Sequence, residues 1–215
     1  MKMIVLTGAD ASGKDTQIKL LEEALQLKGK KVQILTIWDS FGDFENIGDP
    51  VLLKKVLSGF LLKFEPHARS LFLMSSLRNS LDKIKSSSEI VLVNGYIYKY
   101  WASEMAYGVE RDFWKTSFLL FPQPHSIFYI RTDLKECLKR REQWTNYEKG
   151  EGRFANNISL NFFDFQEAIH KNLDKLMAEL INEPMTDLRP EQAGVRIVDG
   201  NKSQDIVFQE INEKL

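Results

Sequence analysis

The sequence predicts an α/β protein, a three-layer sandwich in which a five-stranded parallel sheet is covered by helices on both faces. Five short apolar runs alternate with longer segments whose apolar residues recur at helical spacing, a pattern typical of parallel strands joined by crossover helices. The first run leads directly into a glycine-rich turn and a helix. The predicted strands are residues 2–7, 31–37, 89–93, 126–131 and 195–198.

The length of 215 residues is that of one domain, residues 1–215, with enough chain for a sizeable core. Charge is nearly balanced, with 29 basic and 30 acidic residues, which argues against a general polyanion-binding surface. The single Cys137 rules out an internal disulfide and is typical of a reducing compartment. No leader or membrane-spanning run is recognised, so we expect a cytoplasmic protein without a nucleic-acid polymer or membrane as partner.

The glycine-rich turn, residues 8–17, has the spacing G-x-x-x-x-G-K of a phosphate-binding loop. Gly8 and Gly13 allow a tight turn whose backbone N–H groups converge on phosphate oxygens, and the helix that follows adds its positive dipole end. Lys14 supplies a point charge to the outer phosphates. The alternative is a turn without a ligand. The predicted phosphate-binding residues are Gly8, Ala11, Ser12, Gly13, Lys14, Asp15 and Thr16.

A hydroxyl residue usually follows the lysine of such a loop and holds magnesium, whereas here Asp15 follows it and Thr16 comes next. Asp15 can reach the ion directly or through water, but it also places a negative charge beside the phosphates. We therefore expect Asp15 and Thr16 as the magnesium ligands.

Ligands of parallel sheets bind beyond the carboxyl ends of the strands, so the residues after each strand are candidates. After the second strand, the acidic and aromatic segment that begins at Trp38 either binds a base or sugar or is a plain surface loop. Asn94 and Tyr96 follow the third strand. After the fifth strand, a turn with Asn201 and Lys202 either grips an adenine or simply precedes the last helix.

Several helical segments have an expected place. Residues 51–64 are apolar at helical spacing, which favours core or dimer packing. Pro66 opens a helix to about residue 86 with Arg78 on it, and for Arg78 a solvated surface position is the alternative. The helix at about 160–180 packs against the core. The helix that begins at Pro66 has an apolar stripe of Leu71, Met74, Leu77 and Leu81.

A polar, charged, glycine-bearing segment at about 142–154 follows the helix that Asp133 caps. Arg140 and Arg141 come just before it, and Arg153 lies within it. Cations on such a segment are suited to a short lid that closes over phosphates. The alternative is a solvated loop without structure.

These residues resemble the thymidylate kinase family over nearly the whole chain. Residues 8–17 resemble its phosphate loop, and residues 74–78 are similar to its Phe-Ala-Ala-Asp-Arg helix. Residues 94–96 fall where the family has Asp-Arg-Tyr or Asp-Arg-His. Residues 124–140 resemble its fourth strand and following helix, and residues 152–154 with 162–165 resemble the end of its lid and the next helix.

The resemblance implies a P-loop nucleoside monophosphate kinase that uses ATP and Mg²⁺, acts most of all on dTMP to give dTDP in nucleotide biosynthesis, and forms a homodimer. It implies that Asp10 accepts the sugar 3′-hydroxyl, that Arg78 bonds the thymine and that Arg140 lies against the donor adenine. Lys14 and a lid arginine, Arg153 or Arg141, would stabilise the transferred phosphoryl. The implied acceptor-binding residues are Asp10, Trp38, Met74, Arg78, Asn94, Tyr96 and Glu104.

The chain also departs from the family. Residues 38–44 replace its Arg-Glu-Pro-Gly-Gly-Thr segment, Asn94 and Gly95 replace an Asp-Arg pair that helps hold magnesium and the acceptor phosphate, and Met74 replaces a stacking phenylalanine. Two alternatives therefore stay open. One is a nucleotide-binding homologue with an altered acceptor or little catalysis. The other is a phosphotransferase for a non-nucleotide acceptor such as polyphosphate, which the balanced charge disfavours.

Overall fold

The computed structural model describes residues 1–41, 50–151, 161–182 and 194–215, and of residues 50–55 the backbone alone. The strands are β1 (Lys2–Thr7), β2 (Val32–Leu35), β3 (Ile90–Asn94), β4 (Ser126–Arg131) and β5 (Val195–Asp199). The helices are α1 (Lys14–Leu27), α2 (Pro50–Leu61), α3 (Pro66–Asp82), α4 (Tyr96–Ala106), α5 (Arg111–Phe118), α6 (Leu134–Arg140), α7 (Phe162–Asn182) and α8 (Gln204–Asn212).

The five strands form one parallel sheet in the order β2-β3-β1-β4-β5. The central strand β1 pairs with β3, Val5 opposite Val93, and with β4, Val5 opposite Ile127. Because all strands run the same way, their carboxyl ends meet at one edge of the sheet, and the loops that follow them gather there. The predicted five-stranded parallel sheet is confirmed.

Helices cover both faces of the sheet, as the apolar pattern predicted. Alternate residues of β1 point to opposite sides, so that Val5 belongs to one buried cluster and Leu6 to the other. The larger cluster includes Trp101 of α4 and Leu173 of α7. The smaller one packs α1 and α8 against the sheet. Each face therefore has its own core, and the rigid sheet between them positions the loops at its carboxyl edge.

Some element ends differ from the prediction. Strand β2 stops at Leu35 because Asp39 turns the chain, accepting hydrogen bonds from the Thr36 N–H at 2.5 Å and the Thr36 hydroxyl at 2.9 Å. Helix α3 begins as predicted at Pro66, where the Glu65 carboxylate caps the N–H groups of the first turn. In the predicted stripe, Leu71 is 58% exposed. The other three stripe residues are buried: Met74, Leu77 and Leu81.

In the parts of the chain that the structure describes, no helix combines the length and the apolar character needed to span a bilayer.

Candidate active site

The loop between β1 and α1 has the tight winding that its glycines predict. Gly8 has φ of 153° and Gly13 has φ of 102°, and Ala11 between them also has a positive φ of 61°. A Cβ on Gly8 would lie 2.6 Å from the carbonyl oxygen of Ile130, so only glycine fits there. The chain thus turns close to β4 and enters α1 with the N–H groups of its first turn facing the loop.

Lys14 folds back over this loop. Its ammonium donates to the carbonyl oxygen of Ala9 at 2.5 Å and to the Ser12 hydroxyl at 3.4 Å, and the residue is buried. Burial and the nearby Lys99 lower the pKa of Lys14 to about 8, against the opposing effect of Asp10 and Asp15. These two hydrogen-bond acceptors are neutral, so the ammonium charge is available to an anion in the loop.

A cavity of about 390 Å³ opens on one side of the loop, where α1, α6 and the turn after β5 meet. Arg140 joins these parts by donating to the carbonyl oxygens of Gly200 at 2.8 Å and Ser12 at 3.4 Å. Asn201 accepts from the Asp133 N–H at 3.0 Å. Six of the predicted nucleotide-binding residues line this cavity: Ser12, Gly13, Thr16, Arg140, Asn201 and Lys202.

A second, smaller cavity lies on the other side of the loop, bounded by the loop, the segment after β2, α3 and α4. Its wall is aromatic at Trp38, Phe41 and Phe72 and charged at the loop end, where Asp10 and Lys99 lie. The predicted residues Asp10 and Trp38 are therefore brought together in one wall.

Asp10 and Lys99 form an ion pair of 2.6 Å at this charged end. Burial by itself would raise the pKa of Asp10, but the ammonium groups of Lys99 and Lys14 hold it well below its usual range. Sequence reasoning missed Lys99, although one signal was present: Lys99 follows the glycine at the start of α4 by one helical turn.

The residues of α3 that line the second cavity differ from the predicted acceptor-binding residues of this helix. Met74 is buried in the apolar core. Arg78 is half exposed and pairs with Asp82 at 2.8 Å. Phe72 and Ser76 line the cavity instead. The structure thus does not bring Met74 and Arg78 to the cavity wall.

Tyr96 and Glu104 of α4 also face the protein interior. The Tyr96 hydroxyl donates to the carbonyl oxygen of Pro122 at 2.6 Å. Glu104 is fully buried and accepts from Arg69 at 2.8 and 3.0 Å and from the Tyr147 hydroxyl at 2.8 Å. Neither side chain lines the second cavity; from the same helix, Tyr100 and Ser103 do.

Asn94, at the end of β3, donates its side-chain amide to the Asp15 carboxylate at 2.5 Å. A carboxylate and an amide thus meet beside the phosphate loop, and Thr16 follows in the same helical turn. The described residues contain no group of three or more His, Cys, Asp or Glu side chains that would cage a metal ion. Mg²⁺ needs no such cage, because it usually binds one or two carboxylates together with phosphates and water. The oxygen donors present fit this ion.

Arg141 lies at the end of α6, at the start of the predicted lid. Its guanidinium forms a bidentate pair with Glu148, both bonds 2.9 Å long, and Glu148 also accepts from the Thr145 N–H and hydroxyl. Residues 142–151 are thereby drawn toward the second cavity, which Glu148 lines. Arg153 lies outside the described residues.

A parallel sheet of this strand order, with a glycine-wound loop and a buried lysine after its central strand, is an α/β fold consistent with the P-loop nucleoside monophosphate kinases.

Comparisons with known proteins narrow this class. No protein-family model matches the chain. The chain is 26% identical to a probable thymidylate kinase of Methanococcus aeolicus over 216 residues, 100% of this chain and 95% of that protein. It is 26% identical to a probable thymidylate kinase of Thermococcus kodakarensis, over 84% of this chain and 98% of that protein. It is 28% identical to a probable thymidylate kinase of Pyrococcus horikoshii, over 68% of this chain and 74% of that protein. The chain is thus similar to probable thymidylate kinases over two thirds or more of its length, at 26–28% identity.

Proposed function

We propose that this protein transfers the terminal phosphoryl group of ATP to a nucleoside monophosphate. The preferred acceptor is dTMP, and the products are then ADP and dTDP. The observation that carries the proposal is that one phosphate loop borders two cavities. Ser12, Gly13 and Thr16 line the larger cavity, whereas Asp10 lines the smaller one. A protein that only bound ATP would need one cavity, but phosphoryl transfer needs donor and acceptor on either side of the same phosphates.

The larger cavity is the proposed ATP site. The N–H groups of residues 8–16 and the Lys14 ammonium would hold the phosphates. Arg140 would lie against the adenine, and Asn201 and Lys202 in the turn after β5 would border it. Mg²⁺, which neutralises phosphate charge when bound, would be held by Asp15 with Thr16 beside it.

The smaller cavity is the proposed acceptor site. Trp38 and Phe72 offer flat apolar surfaces for a base, a common use of aromatic side chains in ligand sites. Asp10 would accept a hydrogen bond from the sugar hydroxyl. With the base against these rings, the phosphate of the acceptor would point toward the loop, where the charged residues Asp10 and Lys99 lie.

The transferred phosphoryl develops charge that Lys14 and an arginine would stabilise, since this chemistry depends on positioning and positive charge. We propose that residues 142–154 act as the lid that supplies the arginine. Arg141, which pairs with Glu148 beside the acceptor cavity, and Arg153 are the candidates.

The proposal is tested by incubating the protein with ATP, Mg²⁺ and each nucleoside monophosphate or thymidine in turn, and by measuring ADP and the phosphorylated product. We expect dTDP from dTMP as the fastest reaction and loss of product in Lys14→Ala. If no acceptor yields ADP, the proposed transfer is wrong.

A second candidate, a nucleotide-binding homologue with an altered acceptor or little catalysis, is favoured by one observation. Neither of the two arginines that the resemblance leads us to expect reaches the acceptor cavity. Gly95 stands in place of one of them, and the other, Arg78, pairs with Asp82. Tight ATP binding by calorimetry without turnover of any acceptor would support this candidate, and robust dTDP formation would eliminate it.

We further propose that the protein works as a homodimer in the cytoplasm. The apolar side chains of Val56 and Phe60 on α2 and Leu71 on α3 are 59%, 46% and 58% exposed. Large exposed apolar residues on neighbouring helices suit contact with a second copy. Light scattering that gives the mass of one chain would refute the dimer.

A further inference from the structure

The charged end of the acceptor cavity has more carboxylates than cations. Among the described residues that line it, Lys99 is the only cation, and Asp10 and Glu148 are the carboxylates. A nucleoside monophosphate brings a phosphate group with up to two negative charges. Such a group binds a protein mainly through charge-assisted hydrogen bonds, so the cavity needs a cation that can meet it.

The path of the Lys99 side chain depends on Gly95. A Cβ on Gly95 would lie 3.2 Å from Cδ and 3.5 Å from Cβ of Lys99, so the lysine stem lies across the bare face of the glycine. Gly95 is itself tied to the end of β1: its N–H donates to the Leu6 carbonyl at 2.8 Å, and its carbonyl accepts from the Thr7 hydroxyl at 3.1 Å. The stem therefore runs along the base of the phosphate loop.

The turn that starts α4 is held in a rarely populated conformation. Gly95 has φ of 82°, and the next residue, Tyr96, has φ of 50°, which is exceptional for an aromatic residue. Backbone strain of this kind persists only where the surrounding structure enforces it, often at ligand sites. Here it directs the first turn of α4, and with it Lys99, toward the loop.

Lys99 carries its charge at neutral pH. Burial alone would lower the pKa of Lys99, but the Asp10 carboxylate at 2.6 Å raises it above its usual value, with help from Glu148. Lys99 lies close enough to Lys14 to lower its pKa, and both ammonium groups lower the pKa of Asp10, so the two cations act on the same small volume. A phosphate group that enters this volume meets two cations.

We propose that Lys99 is the residue that binds the phosphate group of the acceptor, exchanging part of its contact with Asp10 for the phosphate oxygens. The assignment rests on the proposed function and deepens it. It makes a phosphate monoester, rather than an uncharged nucleoside, the acceptor class. The cation that meets the acceptor phosphate is then Lys99, which lies one helical turn after Gly95 and reaches toward the phosphate loop.

The test compares binding of dTMP and of thymidine by calorimetry in the wild type and in Lys99→Gln, Lys99→Arg and Lys115→Gln. Loss of charge-assisted hydrogen bonds in Lys99→Gln should weaken dTMP binding about 10- to 100-fold and leave thymidine and ATP binding unchanged. Lys99→Arg should keep most of the dTMP affinity. Lys115→Gln, an exposed lysine on α5, is the control for loss of one charge and should match the wild type.

Two results would overturn the inference: wild-type dTMP affinity in Lys99→Gln, or wild-type protein that binds thymidine as tightly as dTMP. Unchanged ATP affinity in Lys99→Gln shows that the variant is folded. The proposed transfer fails separately. A wild type that binds dTMP through Lys99 but forms no dTDP with ATP would refute the transfer and leave the assignment of Lys99 in place.

Discussion

Arg69 and Glu104 form an ion pair that solvent does not reach: Nε lies 2.8 Å from Oε1, and the two side chains are 2% and 0% exposed. The guanidinium also stacks 4.0 Å from the ring centre of Tyr107, and the Tyr147 hydroxyl donates to the same carboxylate. One buried cluster thus joins α3, α4 and the segment after α6, three of the parts that border the acceptor cavity.

Removal of the Glu104 carboxylate should destabilise the protein, because Arg69 would be left as an uncompensated buried charge. We expect Glu104→Ala to lower the free energy of unfolding by about 3–5 kcal/mol, measured by urea denaturation. Asp82→Ala, which breaks the exposed pair with Arg78, should change it by at most about 1 kcal/mol. Equal urea midpoints for Glu104→Ala and the wild type would contradict a structural role for this pair.

The low pKa of Lys14 predicts a pH dependence for ATP binding. In the free protein the ammonium loses its proton near pH 8, whereas bound phosphate would hold the proton on. Affinity should therefore be flat below that pH and fall by up to about tenfold per pH unit above it, because binding must then take up a proton. Titrations at pH values from about 7 to 9.5 measure this. Lys14→Ala should lack the inflection, and an inflection that survives in this variant would assign the titration to another group.

The turn at Gly200 should tolerate no side chain. A Cβ there would lie 2.0 Å from the Thr132 hydroxyl oxygen and 2.8 Å from Cγ2 of Ile130. Gly200→Ala should shift the turn whose carbonyl Arg140 binds, weaken ATP binding and cost about 1–3 kcal/mol of stability. Gly59→Ala is the matched control, because a Cβ on this exposed position of α2 meets nothing within 4 Å. ATP affinity and melting temperature equal to wild type in Gly200→Ala would show that the turn does not border the nucleotide.

Asp15 should set the magnesium requirement. Asp15→Asn removes the carboxylate that follows the loop lysine, so the Mg²⁺ concentration that supports half-maximal ATP binding should rise, by about tenfold. Asn94→Ala removes only the amide that bonds Asp15 and should shift this concentration less. Electron paramagnetic resonance of Mn²⁺ with ADP provides a readout independent of turnover. If Asp15→Asn leaves both measurements unchanged, the ion is held elsewhere.

The local parts of the fold and site were predictable from the sequence. The strand, glycine turn and helix around Lys14 depend on residues that are neighbours in the chain, and the structure has them as predicted. The rule that ligands lie beyond strand ends led to Asn201, which lines the larger cavity, and to Asn94, which lies beside Asp15. The positions of both asparagines follow from the order and direction of the strands alone.

Features that depend on packing between elements were not predictable. The face that α3 turns to the cavity is set by its contacts with other elements. The resemblance to the thymidylate kinase family therefore pointed to Met74 and Arg78, whereas Phe72 and Ser76 line the wall. Lys99 was missed for a similar reason, since its position depends on the missing side chain of Gly95, which matters only once the first turn of α4 is in place.

Calorimetric titration of Mg²⁺-ATP into the wild type and into Lys14→Gln tests the central claim most directly, since every proposed role depends on the loop after β1 holding a triphosphate. We expect saturable binding at one site in the wild type and binding weakened by about 10- to 100-fold in a variant with an unchanged melting temperature. No binding by the folded wild type, or equal affinity in the two proteins, would contradict the account.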